Sequence, residues 1–172
     1  ELRKALPLLG EDHNGGVAYS DGQFDDARLN LLLALTAEKE GAIIRTHCKV
    51  VGFERNQDGK LRCVISQNSF GEQERWETHA VVNATGIQAD TIRQMADKNT
   101  EKRILISRGM HLVLEKNLCP QNIGLLIPST DDGRILFALP FFNRTLVGTT
   151  DKPCQVQDAK KISKEDYDYL MN

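Results

Sequence analysis

Residues 81–86 read Val-Val-Asn-Ala-Thr-Gly, and together with Ala80 they form a near-continuous apolar run that ends in a small-residue turn. A strand that is apolar at successive positions is buried on both faces, which is the signature of a parallel sheet covered by helices. Ala84 and Gly86 leave backbone bare at the end of that strand, and Gly86 is free to take a positive φ. From the residues alone, two readings are even: an ordinary strand-to-helix turn, or a turn where backbone approaches a flat bound molecule. The strand, G-x-G-x-x-G loop and helix that open a dinucleotide fold do not occur before residue 81. The chain also begins with Glu1 rather than Met, so it reads as an internal piece of a larger protein.

The surrounding pattern is consistent with part of an α/β domain. Leu29, Leu32, Leu33, Thr36 and Ala37 recur at helical spacing from about residue 25 to 40. Asp25 and Asp26 stand in the first turn, where the helix dipole favours negative charge, and Gly41 is a left-handed terminator. Residues 42–46, Ala-Ile-Ile-Arg-Thr, then read as a buried strand. Helix, glycine and short apolar strand make half of a βαβ unit.

Residues 48–79 change character. Short strands are expected at 48–53, 61–67 and 75–79, separated by Asn56-Gln57-Asp58-Gly59 and Asn68-Ser69-Phe70-Gly71, both strong turn sequences. That pattern is a three-stranded antiparallel meander inserted into the α/β domain, to which the chain returns at residues 80–98 with a strand and a helix from about 88. Beyond residue 98 the pattern is all-β, with strands at 104–115, 123–128, 134–140 and 145–149 and turns at 131–133 and 142–144. Ser163 with Asp166 three residues on marks a helix start near the end of the chain.

Composition narrows the class. With 22 Lys and Arg against 24 Asp and Glu, the net charge of −2 offers no bulk attraction for nucleic acid or an anionic membrane. A hydrophobic share of 40% and a charged share of 27% describe a chain that folds. No apolar run approaches the roughly 20 residues of a membrane span. Cys48, Cys63, Cys119 and Cys154 form no C-x-x-C pair and join no histidine cluster, so four reduced thiols are expected, with neither a zinc site nor a disulfide framework. Reduced thiols point to a cytoplasmic protein.

Five segments, in order and spacing, resemble one family. Residues 16–28, Gly-Val-Ala-Tyr-Ser-Asp-Gly-Gln-Phe-Asp-Asp-Ala-Arg, are similar to the G-x-x-x-Y-x-D-G-Q-x-x-D-A-R signature of the aerobic-type, FAD-dependent glycerol-3-phosphate dehydrogenases. Residues 81–86 resemble that family's V-V-N-A-T-G, and 107–114, Ser-Arg-Gly-Met-His-Leu-Val-Leu, its G-x-H strand. Residues 132–140 and 146–151 are similar to its D-G-R-x-x-F-x-x-P and G-T-T-D segments. One departure is Ile87-Gln88, where the family has Pro-Trp or Pro-Phe.

The resemblance implies a fold of class α/β plus antiparallel β: a partial FAD-binding three-layer domain with an inserted β-meander and an antiparallel-sheet substrate domain. Its parts are residues 1–47 (partial FAD-binding domain), 48–79 (meander), 80–98 (return to the FAD-binding domain), 99–151 (substrate-binding sheet) and 152–172 (start of a truncated C-terminal segment). It implies a flavoprotein that oxidises sn-glycerol 3-phosphate to dihydroxyacetone phosphate and passes electrons through FAD to a quinone or another acceptor. Two alternatives stand beside it: a non-catalytic structural fragment unable to hold FAD by itself, and a related FAD-dependent amine or amino-acid oxidase. The 21–28 segment argues against the second.

Site residues follow from the same resemblance. Val50 corresponds to a valine whose backbone contacts adenine, and Ala84, Thr85, Gly86 and Gly109 to cofactor-binding positions. In a regular strand Ser107, Gly109, His111 and Val113 share one face. Gly109 leaves room beside His111, whose imidazole can take the hydroxyl proton lost when a secondary alcohol is oxidised, or orient the substrate oxygen; on the residue alone, a packed or solvated strand histidine is the commoner case. Thr149 and Thr150 end a strand and are expected to line the substrate site. Arg108 points to the opposite face, so a structural role is expected there, as for Asp21, Asp25, Asp26 and Arg28. Arg134 and Arg144 read as surface charge. No metal site is expected. The implied parent lies in the cytoplasm, in reach of the membrane surface, and the isolated piece is expected to self-associate through uncovered apolar faces.

Overall fold

Backbone pairing decides which of these segments become regular structure. The computed structural model describes residues 15–119, 123–127, 133 and 135–171. The expected turn at 131–133 and the start of the strand expected at 134–140 fall largely outside the described residues. The chain divides into two units, one of residues 19–104 and the other of residues 105–172 with 1–18.

The first unit begins with helix α1, Asp26–Lys39. Asp25 caps it, its carboxylate accepting the Arg28 N–H at 3.1 Å. The sheet that follows is the expected meander, with strands β1 (Lys49–Arg55), β2 (Leu61–Gln67) and β3 (Gln73–Glu77) in the order β1-β2-β3, antiparallel throughout. The two turns are built alike. Asn56 Oδ1 accepts the N–H groups of Asp58 and Lys60 at 3.1 and 2.9 Å, and Asn68 Oδ1 accepts those of Phe70 and Glu72 at 2.9 and 3.0 Å. Trp76 Nε1 donates to Ser66 Oγ at 2.9 Å across β2 and β3.

A 3₁₀ turn (Gly86–Gln88) leads into helix α2, Ala89–Ala96. Arg55 at the end of β1 donates to the Ala96 carbonyl at 2.9 Å and so ties the meander to the helix end. Buried Asp90 in the first turn of α2 accepts the N–H groups of Arg103 and Ile104 at 2.8 and 2.9 Å and pairs with Arg93 at 2.6 Å. Those N–H bonds, Ile104 foremost, hold its carboxyl below the usual range against the cost of burial.

Two expected strands do not form. Residues 42–46 and 80–83 have no strand pairing, Ile43 is 68% exposed and Val82 is 90% exposed. A parallel-type strand is completed only by strands distant in sequence, and no strand among the described residues pairs with either segment. Helix α1 likewise buries none of its residues.

The second unit holds β4 (Ser107–Arg108), β5 (His111–Leu114), β6 (Leu125–Ile127), β7 (Leu136–Phe141), β8 (Arg144–Gly148) and β9 (Lys152–Pro153). One sheet has the order β5-β8-β7-β6, and β4 pairs with β9 in a second. All pairings are antiparallel. The β7–β8 hairpin closes through Phe142 and Asn143, both at positive φ (46° and 61°), which matches the right-handed twist of the strands. Thr145, fully buried, donates to the Lys116 carbonyl and accepts the Leu118 N–H at 2.7 Å, folding the loop after β5 onto the sheet.

Residues 152–171 pack as part of this unit. Helix α3, Lys164–Met171, starts at the expected point, with Ser163 Oγ accepting the Asp166 N–H at 3.2 Å. Asp166 is buried and meets Lys152 on β9 at 2.9 Å and Arg108 on β4 at 3.4 Å. The Ser163 hydroxyl first, and then Lys152, holds the Asp166 carboxyl below its usual range. A depressed folded value gives a contribution complete above the ordinary carboxylate range and lost as pH falls through the folded value. The stability of this unit, followed by near-ultraviolet circular dichroism, should therefore hold near neutrality and fall below about pH 4. Asp166→Asn should lower the neutral-pH midpoint and flatten that acid limb.

Candidate functional site

Each unit carries part of the expected set of site residues. In the first, β1 lies at the edge of the meander, so half of its backbone polar groups face away from β2. Val50 on β1 and the unpaired Val81 and Val82 line one open cavity of about 460 Å³, together with Val64, Trp76 and Arg45. Two segments distant in the chain thus meet at a concave, mostly apolar surface. Immediately after it, Ala84, Thr85 and Gly86 lie exposed.

Asn83 fixes that turn. Its Oδ1 accepts the Thr85 hydroxyl at 2.8 Å and the Thr85 N–H at 3.4 Å, while its Nδ2 donates to the Ala89 carbonyl at 2.9 Å. Gly86 has φ +53°, a conformation that favours glycine, and a Cβ there would meet nothing within 4 Å. Space is therefore open over the bare backbone at the entry to α2. Asn83 is a residue that sequence reasoning passed over, although an Asn two residues before a turn hydroxyl is a recognisable side-chain-to-backbone turn signal.

In the second unit, Gly109, His111, Thr149 and Thr150 come together. The strand expected at 104–115 is broken at Gly109 and Met110 into β4 and β5, which pair in different sheets. The break is made by Thr150, whose Oγ1 accepts the Met110 N–H at 3.0 Å and whose own N–H donates to the Met110 carbonyl at 3.4 Å. Alternation survives it: Ser107, Gly109, His111 and Val113 are all exposed, and the residues between them are half-buried. Their common face is the one the sequence pattern puts forward.

His111 stands directly opposite Gly148 in the β5–β8 register. A Cβ at Gly148 would overlap the His111 ring, and one at Gly109 would fall 2.5 Å from Thr149 Oγ1 and 2.6 Å from the Thr150 carbonyl. Two missing side chains thus admit the imidazole on one side and Thr149 on the other. Thr149 is half-buried and its hydroxyl donates to the Thr150 carbonyl at 2.8 Å. Thr150 is 1% exposed, with its hydroxyl engaged on Met110, so it shapes the strand that carries Gly109 and His111 and presents no free face of its own. Arg108 lies on the opposite face against Asp166, in the structural role expected of it. Among the described residues no cluster of metal-ligating side chains occurs, and all four cysteines are free.

The first unit thus has an open, mostly apolar cavity followed by bare backbone, and the second an imidazole seated against Gly148. The chain matches the family of FAD-dependent oxidoreductases over residues 1–172 and belongs to that family. More particularly, it is 37% identical over 178 residues to the mitochondrial glycerol-3-phosphate dehydrogenase of Bos taurus, covering 97% of this chain and 24% of that protein. It is 36% identical to the probable mitochondrial glycerol-3-phosphate dehydrogenase of Dictyostelium discoideum, covering 98% of this chain and 28% of that one. Among solved structures, the glycerol-3-phosphate dehydrogenase of Bacillus halodurans complexed with FAD superposes with a TM-score of 0.88 at 32% identity, over 98% of this chain and 34% of that chain. The chain thus spans about a quarter of the length of the curated relatives it matches.

The His111 setting predicts a steric outcome. Gly148→Ala and Gly109→Ala should each lower stability by about 1–3 kcal/mol, as overpacking does, in urea unfolding of this chain. Gly22→Ala, which meets nothing within 4 Å, should lie close to the parent.

Proposed function

We propose that this chain belongs to a flavoprotein that oxidises sn-glycerol 3-phosphate to dihydroxyacetone phosphate, with electrons leaving FAD for a quinone or another acceptor. The observation that carries the reading is His111 seated against Gly148, on the exposed face it shares with Gly109, in a chain whose relatives are glycerol-3-phosphate dehydrogenases.

The residues present fit the cofactor. The cavity beside Val50 offers apolar walls at an exposed strand edge, and the open space over Gly86 admits a group against bare backbone. In the first unit Val50, Ala84, Thr85 and Gly86 would hold FAD; in the second, the space over the bare Gly109 is taken by Thr149 and the Thr150 carbonyl. The three-layer FAD-binding domain and the boundaries at residues 47, 79, 98 and 151 are part of this reading. When bound, the flavin supplies a hydride acceptor.

Oxidation of the C2 alcohol removes a hydride from carbon and a proton from oxygen. His111 is the group that accepts that proton, at an imidazole nitrogen. Gly148 gives its ring a fixed seat, so the imidazole is held without a conformational search. Thr149 lines the substrate side, and Thr150 sets the backbone that carries His111. The four free thiols support a reducing compartment, with the enzyme acting from the cytoplasmic face of a membrane. No helix among the described residues is long and apolar enough to cross one.

The test is anaerobic: flavin absorbance of the whole protein before and after glycerol 3-phosphate. Bleaching is expected, and His111→Asn should slow it about 10²–10⁴-fold with flavin content retained. A yellow protein that bleaches only with an amine or amino acid would transfer the assignment to the related oxidases. Leu31, Leu32, Leu33 and Leu35 of α1 are each more than half exposed, so the 172-residue chain by itself should self-associate. Sedimentation at a single monomer mass would contradict this.

A further inference from the structure

Gly148, the seat of the His111 ring, has a second neighbour. His111 stands opposite it on β5, and Phe137 stands opposite it on β7. Directly opposed residues of antiparallel strands share a face, with Cβ positions about 4.5–5.5 Å apart. His111, the bare Gly148 and Phe137 therefore form one row across the sheet. A Cβ at Gly148 would overlap His111 Cδ2 and lie 2.9 Å from Cγ, so the imidazole reaches past its own strand and occupies the middle of that row. Phe137 is the next side chain along it, half-buried where His111 is exposed. The surroundings are apolar. Leu139 and Leu146 flank the row on the same face, and strands β5 to β8 add one charge to that face, Arg144, at the opposite end of β8 and 3.9 Å from Glu115. Among the described residues no side-chain hydrogen bond orients the His111 ring. An active-site base is ordinarily oriented by a third group that hydrogen-bonds to it; here packing has that task.

We propose that Phe137 is a positioning residue for the proton-accepting imidazole: it borders the seat over Gly148 on the β7 side and limits rotation of the His111 ring in that direction. The outer torsion of a histidine side chain is broad, so a ring without an anchor samples several orientations and offers its nitrogens in each. An aromatic wall along one side narrows that spread, because paired rings favour edge-to-face or offset arrangements. The proposal rests on the reading of His111 above and adds the residue that holds its ring. Phe137 is the aromatic of the Asp-Gly-Arg-x-x-Phe-x-x-Pro segment at 132–140, which thereby acquires a task.

The experiment uses the whole flavin-loaded protein and a double-mutant cycle, read as the anaerobic rate of flavin bleaching at saturating glycerol 3-phosphate. Phe137→Ala should slow bleaching about tenfold, as misplacement of a reacting group does, with flavin content retained and the Kd of dihydroxyacetone phosphate within about twofold of wild type. In the His111→Asn background the same substitution should change the rate less than about twofold, since residues that act as a unit are not additive. Phe137→Tyr keeps the ring and should recover most of the rate. Phe137→Leu removes less volume and should show the same dependence on His111 at about threefold, which covers an alanine variant that fails to fold. Equal slowing by Phe137→Leu with and without His111, or wild-type bleaching in Phe137→Ala, would overturn this inference alone. Wild-type bleaching in His111→Asn would overturn the reading beneath it as well.

Discussion

The structure depends on one constraint: every backbone N–H and C=O in a strand needs a partner, and the distance along the chain to that partner differs between sheet types. Antiparallel strands find partners across turns of a few residues. In both units the ladders are antiparallel: Asn56, Asn68 and the Phe142–Asn143 turn close hairpins, while β5 on β8 and β4 on β9 join strands farther apart in the chain. The apolar segments 42–46 and 80–83 are written for burial on both faces, and they stay unpaired among the described residues. Their side chains, with the leucines of α1, form the exposed apolar surface of the first unit.

The same constraint shapes the site. Because β1 is an edge strand, its outer side is open beside the cavity that Val81 and Val82 help to line. Because Thr150 takes both backbone groups of Met110, the strand through Gly109 divides, and His111 starts a new ladder opposite Gly148. A buried Thr150 hydroxyl and the bare Gly148 thus do for His111 what bulky packing does elsewhere. They fix where the ring sits by removing what would stand in its way.

Much of this was legible in the sequence. The Asn-x-x-Gly turns placed the meander, and strict alternation put Ser107, Gly109, His111 and Val113 on one face, which the structure keeps across the break in the strand. Register was less legible. The third meander strand runs over Gln73–Glu77, two residues earlier than the pattern suggested, because the Asn68 turn closes at Glu72 and sets the first pair at Gln67 and Gln73. Long-range partners were not legible at all. Arg108 read correctly as structural, yet its partner Asp166 lies 58 residues away, and the Arg45–Trp76 contact joins an expected strand to a meander edge with no signal in spacing.

Amide hydrogen exchange of the chain, resolved by residue, tests the pairing argument most directly. The account predicts slow exchange for the ladder amides of β2 and β8 and fast exchange at 42–46 and 80–83, with the Met110 amide protected by Thr150. Slow exchange at 42–46 or 80–83, at a concentration where the chain is monomeric, would mean that those strands have partners. The claim that antiparallel ladders alone sustain this structure would then be contradicted.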